Sequence, residues 1–416
     1  MIAKLENFGP FHFFFTLSCG DSRYDENFSS FLVEHNYVVQ YYSNPDGTTQ
    51  TRVKENESRG IGKTLSDFLK EDVNESLHEM VRTNVLTASR NFHHRVEAFK
   101  KEILYGQNSP MKIKHLSYRV EFQGRGAAHI HGTIWVDINE IEKLPEFNDN
   151  EVGNGKLSEA FGKLRDDVKL SEDEKRAIAI LTDMFTSCSL NPDTVHTNTK
   201  LGKLIVQIVK EVNCHNCTNP CKNYGDACKY GFPKYPLKET LIIDKHDITS
   251  EPDESDKTKA KNYLKILSDV EDILRDEEKV KLIMSKYEKG ATKGEYDTNR
   301  SKRVDLLLKM AGDISYDDYV TAIKKTTKHA SKVLLKRDVD ETRVNNYNPE
   351  WALAWNANHD LQPVLDFFAV ITYVTDYWSK PDEGITKFLR EAAAILKSEP
   401  DKKKDMPTDG QHIPIT

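Results

Sequence analysis

Apolar and polar residues alternate along several short runs of this chain and recur at three- to four-residue spacing in others. FHFFFTLSC at 11–19 reads as a strand, and 37–43 predicts a second. From Thr64 to about Leu104, Val81, Val85, Phe92, Val96, Phe99 and Ile103 fall at helical spacing. HLSYRVEF (115–122) and AHIHGTIWV (128–136) flank a Gly-Arg-Gly segment and predict a β-hairpin. Residues 138–183 turn acidic, and SEDEKRAIAILTDMF (171–185) carries the signature of a capped amphipathic helix. KLIVQIVKEV follows, then a dense Cys/His knot, then a charged stretch over about 241–340 that reads as helical and weakly packed. Two further apolar segments, NPEWALAWN and LQPVLDFFAVITYVTDYWSK, precede a polar tail from about Pro400 whose composition predicts disorder. No internal repeat is visible.

These elements predict an α+β fold: a central antiparallel sheet covered by helices, with a helical and zinc-knot elaboration. The expected parts are 1–140, the first part of the core with the hairpin; 141–205, a helical insertion; 206–240, the knot; 241–340, the charged helical segment; 341–398, a tyrosine-bearing helical part of the core; and 399–416, a flexible tail.

Composition narrows the class. At 416 residues, 38% hydrophobic and 30% charged, with a mean hydropathy of -0.63, the chain has room for two or three cores. No apolar run approaches the roughly 18 residues that a spanning helix needs, so no membrane partner is expected. The apolar start has no small-residue cleavage site, and an intracellular soluble protein is the expectation. The net charge of -7 argues mildly against nucleic acid, but local clusters decide phosphate contacts. Lys324, Lys328, Lys332 and Lys336 recur at i,i+4 and would form one cationic stripe on a helix, a candidate DNA-binding face as well as an ordinary solvated one.

The candidate chemistry lies in three places. In EFQGRGAAHIHGTIW (121–135) the two-residue period of a strand puts His129 and His131 on one face, and the hairpin folds Glu121 back toward them, with Gln123 as a fourth, outer contact. A carboxylate and two neutral imidazoles suit Mg²⁺ or Mn²⁺ and leave positions open for a phosphate oxygen, although an H-x-H alone is a weak signal. In VNCHNCTNPCKNYGDACKYGFPK, His215, Cys217, Cys221 and Cys228 have spacing that suits a closed structural Zn²⁺ site, with Cys214 a competitor for His215. Cys19 and Cys188 lie in apolar surroundings and read as small buried hydrophobes. In TYVTDYWSK, Tyr373 and Tyr377 are i,i+4 neighbours on a helix and Lys380 lies one turn further along, while Phe367, Phe368, Val370, Ile371 and Val374 can fill the apolar face. Such a pair is commonly part of a core. A phenol oxygen is also a competent nucleophile toward a phosphodiester when a metal polarises the phosphate and a cation steadies the developing charge.

Taken together, Glu121, His129, His131, Tyr373 and Tyr377 resemble the HUH endonucleases of rolling-circle replication, and among them the replication-initiator nuclease domain of Helitron transposases. GPFHFFFTLSCGD resembles that family's first strand motif, and EFQGRGAAHIHGTIW its metal motif, with Ala128 where the family has Pro. The knot ending CKYGFPK is similar to the family's Cys/His segment, with Cys217 at the place of a usual second His. YNPEWALAWNANHD and TYVTDYWSK resemble its two-tyrosine region. The resemblance implies cleavage and rejoining of single-stranded DNA at a transposon end through a 5′-phosphotyrosine, with both tyrosines as candidate nucleophiles, and nuclear localisation. It also implies a helicase, for which no G-x-x-x-x-G-K-[ST] is present. GIGKT at 60–64 lacks the first glycine of that pattern, so the expectation is a nuclease whose helicase lies outside this chain. A non-catalytic zinc-containing DNA-binding protein and a phosphohydrolase using activated water are the alternatives.

Overall fold

The computed structural model describes residues 5–372 apart from 6, 21–22, 24–26, 28–29, 31, 33–35, 44–48, 69–84, 108, 123–126, 149–154, 191–198, 218–220, 222–227, 248–253, 291, 328–330 and 367–368. The strands in chain order are β1 (Phe13–Ser18), β2 (Tyr37–Ser43), β3 (Thr49–Glu55), β4 (Lys63–Thr64), β5 (Ile113–Phe122), β6 (Ala128–Val136), β7 (Leu241–Ile243), β8 (Lys332–Leu334) and β9 (His359–Pro363). Four of them form the central sheet in the order β5-β6-β1-β9, each neighbour antiparallel to the next. A second sheet is β2-β3-β4, and β7 pairs with β8.

The alternation in FFFTLS decides what each face of the central sheet does. Phe13, Phe15 and Leu17 point to one face with Ile130, Ile134, Val136 and Leu361, and this face is the main core. Helices α1 (Val85–Phe99), α2 (Lys156–Arg165), α3 (Glu172–Phe185), α4 (Lys200–Val212), α5 (Glu254–Arg275), α6 (Glu277–Lys286), α7 (Lys293–Met310), α8 (Tyr316–Thr326) and α9 (Pro349–Trp355) follow in chain order. The core face is covered by α1 through Phe92, Val96 and Phe99, by α2 and α3 through Leu157, Phe161, Ile178, Leu181 and Phe185, and by α9 through Trp351 and Trp355. Gly132 sits mid-strand because Phe15 crosses it. A Cβ there would lie 2.3 Å from the Phe15 ring, so only glycine lets the phenylalanine lie against β6.

Three expectations need correction. The helices of 141–205 are not set apart as an insertion, because α2 and α3 share the core of the sheet; α3 starts with the predicted cap, a reciprocal Ser171/Glu174 box. The segment 241–340 is well packed, with a core of its own that buries Val270, Ile283, Val304, Leu307, Tyr319 and Ile323. The lysine stripe does not exist as one helix face. α8 ends at Thr326, where the Thr326 and Thr327 hydroxyls donate to the carbonyls of Ala322 and Ile323. Beyond it Lys332 opens β8, and Lys336 is paired with Asp183 at 3.3 Å; Lys328 lies outside the described residues. The pairing of Lys332, Val333 and Leu334 with β7 ends the helical register that the lysine spacing suggested.

Candidate metal face and cysteine knot

The polar alternate of each central strand builds the other face of the sheet. Glu121 is opposite His129 and Arg119 opposite His131 across β5-β6, while Ser18 and Thr16 of β1 lie opposite the same two histidines on the other side. Asp360 on β9 lies opposite Thr16, which extends the row to the edge of the sheet. Cross-strand partners share a face, so these groups converge on one patch. The His129 and His131 rings stand 4.6 Å apart, and the Phe14 ring stacks beside His131 at 6.1 Å. His131 Nε2 lies 3.1 Å from Glu121 Oε2, and His129 Nδ1 lies 3.0 Å from Ser18 Oγ.

The chemistry of this donor set fits a hard divalent ion. Burial, with help from the neighbouring His131, pushes the His129 imidazole down to about 4. Burial also lowers His131, against the pull of Glu121. Both rings are therefore neutral near pH 7, the form that can bind a metal. A His129 tautomer that donates Nδ1–H to Ser18 leaves Nε2 as the free lone pair, the usual arrangement of a ligating histidine. Two donors on adjacent vertices of an octahedron with bonds of about 2.1 Å sit about 3.0 Å apart, close to the separation of His131 Nε2 and Glu121 Oε2. Gln123 lies outside the described residues.

Sequence reasoning missed Asp360. Its signal was HDLQP after the turn, a short polar alternation that places Asp360 and Gln362 on the histidine face. Burial pushes its carboxyl up to about 7, against a hydrogen bond donated by Gln362 and the charge of Lys234.

In the knot, donor atoms of His215, Cys217 and Cys228 lie within 4.8 Å of one another, with His215 Nε2 3.3 Å from Cys228 Sγ. The stacked Phe232 ring, 4.3 Å away, orients the imidazole, and Arg343 donates to Cys217 Sγ at 3.6 Å. Cys221 is buried nearby in sequence but does not belong to that group of three. Cys214 packs in an apolar cluster with Val344 and Tyr347, where burial raises its thiol. Of the two possible ligand sets, this geometry favours the one with His215. Lys234 donates its ammonium to the Tyr230 carbonyl at 2.7 Å, bracing the turn that follows Cys228.

Tyr373, Tyr377 and Lys380 lie outside the described residues. The helical residues just before them, 369–372, are described. There Val370 and Ile371 pack against Phe11, Trp135 and Val364, and Trp135 shares the strand face of His129 and His131.

Residues 1–134 match the family model described as Helitron helicase-like domain at N-terminus. The match takes in β1, most of β6 and the entire histidine-bearing face except its β9 edge. Comparison with curated proteins and with solved structures gives no match. The N-terminal third of the chain is thus similar in sequence to a Helitron domain, in keeping with a transposon-related role and a DNA context. No described helix is long and apolar enough to cross a membrane.

The buried imidazoles set an acid limit on stability. His12 accepts a hydrogen bond from the Val136 N–H at Nδ1, and His359 is enclosed between Asn348 and Ala357. Burial pushes them down to about 3 and about 4. Unfolded, each takes up a proton near pH 6.5, so stability is complete above that value and is lost as pH falls toward the folded pKa. Asp360 works in the opposite sense, favouring the fold as pH drops below about 7, but His12, His129 and His359 outweigh it. Stability should fall on the order of 1–3 kcal/mol per pH unit between pH 6.5 and 5. Urea unfolding at several pH values checks this, and a flat profile across that window would contradict the assignment of neutral buried rings.

Proposed function

We propose that this protein is a metal-dependent endonuclease and strand transferase for single-stranded DNA of the Helitron type, acting through a 5′-phosphotyrosine. The observation that carries the reading is the composition of one sheet face. Two neutral histidines and a carboxylate lie together on it, and the helical residues leading directly to Tyr373 pack on that same face. His129, His131 and Glu121 would hold Mg²⁺ or Mn²⁺, which when bound polarises a scissile phosphate. Tyr373 or Tyr377 supplies the nucleophile: its Oη bonds to phosphorus, the bond to the 3′ oxygen breaks, and that oxygen leaves as a hydroxyl carrying a proton. The ester retains the bond energy, so a 3′-hydroxyl can reverse the step on another strand without ATP. Lys380 follows Tyr377 by three residues in the sequence and would steady its phenolate, so Tyr377 is the favoured initiator.

A denaturing gel of the chain incubated with single-stranded DNA and Mn²⁺ tests the reading. A covalent protein–DNA species should form and should vanish in the Tyr373→Phe/Tyr377→Phe double variant. Cleavage without any adduct would assign the site to a hydrolase that activates water. Binding without cleavage would assign the chain to DNA recognition alone.

The knot is proposed as a structural Zn²⁺ site built on His215, Cys217 and Cys228, with Cys221 as the fourth ligand. Zinc binding and local folding are linked in such sites. Elemental analysis should find one zinc per chain, and stripping it should increase amide exchange around 213–235 while the helices of 254–326 stay protected. Absence of zinc from protein purified without chelators would remove this assignment.

A further inference from the structure

Further along the same face, at the end of the β5-β6 hairpin away from His129 and His131, lies a feature that the cleavage chemistry does not use. A cavity of about 360 Å³ opens there, lined by Phe8, His12, His115, Trp135, Asp137 and Asn139 among others, a size within the range that holds small ligands. His12 is only 8% exposed and lines this cavity. Its Nδ1 accepts the Val136 N–H at 2.9 Å, which fixes the proton of the neutral ring on Nε2. Nε2 therefore carries a donor hydrogen at the wall of the cavity, where the ring also stands edge-on to Phe161 at 4.4 Å. Above it Phe8 stacks on His115 with centroids 3.4 Å apart and planes inclined by 25°, and Phe8 is still 41% exposed.

The cations at the rim do not mark an anion site, since Lys114 is paired with Asp137 and Arg165 with Asp166. What the cavity offers is an aromatic platform, an imidazole N–H donor in its wall, and an amide at Asn139 that can both give and take. A flat, neutral ring with polar edges satisfies all three. We infer that this cavity is a subsite for one unpaired nucleobase of the single-stranded substrate, stacked on the Phe8–His115 pair and accepting a hydrogen bond from His12 Nε2. The inference rests on the proposed single-strand activity and adds where the strand is gripped. Trp135 and His131 lie four residues apart on one strand face, about 13 Å, which at about 3.4 Å per stacked nucleotide puts the held base within about four nucleotides of the scissile phosphate.

Photocrosslinking tests it with the full chain, no added Mg²⁺ or Mn²⁺, and oligothymidines carrying one 4-thiothymidine at successive positions. One position should crosslink to the peptide containing Phe8 and His12 or to that containing His115. Phe8→Ala should weaken binding of the oligonucleotide about tenfold, the ordinary effect of losing one stacked base, and Phe8→Tyr should restore it. An abasic residue at the crosslinking position should weaken binding by a similar factor and show no further loss with Phe8→Ala, because both remove the same contact. Crosslinks confined to other surfaces, or Phe8→Ala binding as tightly as wild type, would overturn the subsite. A chain that crosslinks here but never forms a covalent adduct sinks the tyrosine mechanism and leaves the subsite standing; a chain that does not bind single-stranded DNA ends both.

Discussion

Alanine at both His129 and His131 is expected to lower the rate of single-strand cleavage about a thousandfold or more while leaving the fold intact. A metal ion that polarises a phosphoryl oxygen contributes several kcal/mol to the transition state, and each 1.36 kcal/mol is tenfold in rate. Both imidazoles sit on the face of β6 opposite Ile130 and Ile134, the residues that anchor the strand in the main core. Their loss therefore spares the contacts that hold the sheet together. Glu121→Ala should be nearly as harmful, because the carboxylate is 3.1 Å from His131 Nε2 and in the proposed site would supply the hard oxygen. Single-turnover cleavage with Mn²⁺, alongside thermal melting, separates the chemical from the structural effect. A folded double variant that cleaves at the wild-type rate would remove the metal reading.

Arg303→Leu should destabilise the protein by about 3–5 kcal/mol, the usual result of leaving one partner of a buried ion pair alone. Arg303 and Asp338 are each 0% exposed. The guanidinium donates to both carboxylate oxygens through Nε at 3.0 and 3.1 Å and through Nη2 at 2.5 Å, and Nη1 donates to the carbonyls of Tyr287 and Glu288. One residue thus joins α7, the turn after α6 and the segment beyond β8. Arg303→Lys keeps the charge and loses the fork, so it should recover only part of the loss. Changing both partners to leucine is not a clean rescue, since Asp338 also accepts the Val339 N–H at 2.8 Å. Urea titration monitored over 254–341 by hydrogen exchange reads the effect; a shift under 1 kcal/mol for Arg303→Leu would mean that water reaches Asp338 in solution.

Local signals carried far where the chain's own period decided the outcome. β6 begins and ends where AHIHGTIWV does, β2 matches 37–43, and α3 starts at its box. The grouping of Glu121 with the histidines followed from the hairpin alone, because register in an antiparallel pair is set locally. Partners far along the chain were not legible. Nothing in HDLQP says that it pairs with FFFTLS more than 300 residues earlier, so Asp360 went unnoticed as a member of the same face. The lysine spacing was periodic over 324–336, but the threonines at the end of α8 and the pairing of Lys332–Leu334 with β7 decided the backbone. Charge density concealed the second core for a related reason: Lys and Glu dominate the exposed faces of α5–α8, while few residues per turn build the interior.

β1 is flanked by β6 and β9, and its second neighbour is one of the last described segments of the chain. During synthesis the ribosome has therefore added more than 300 residues after β1 before that side of the strand can be covered. Until then a Phe-rich strand presents open amide and carbonyl groups, the kind of edge that recruits other chains. Fragments that stop before His359 should for this reason be prone to aggregate, however complete their share of the metal face.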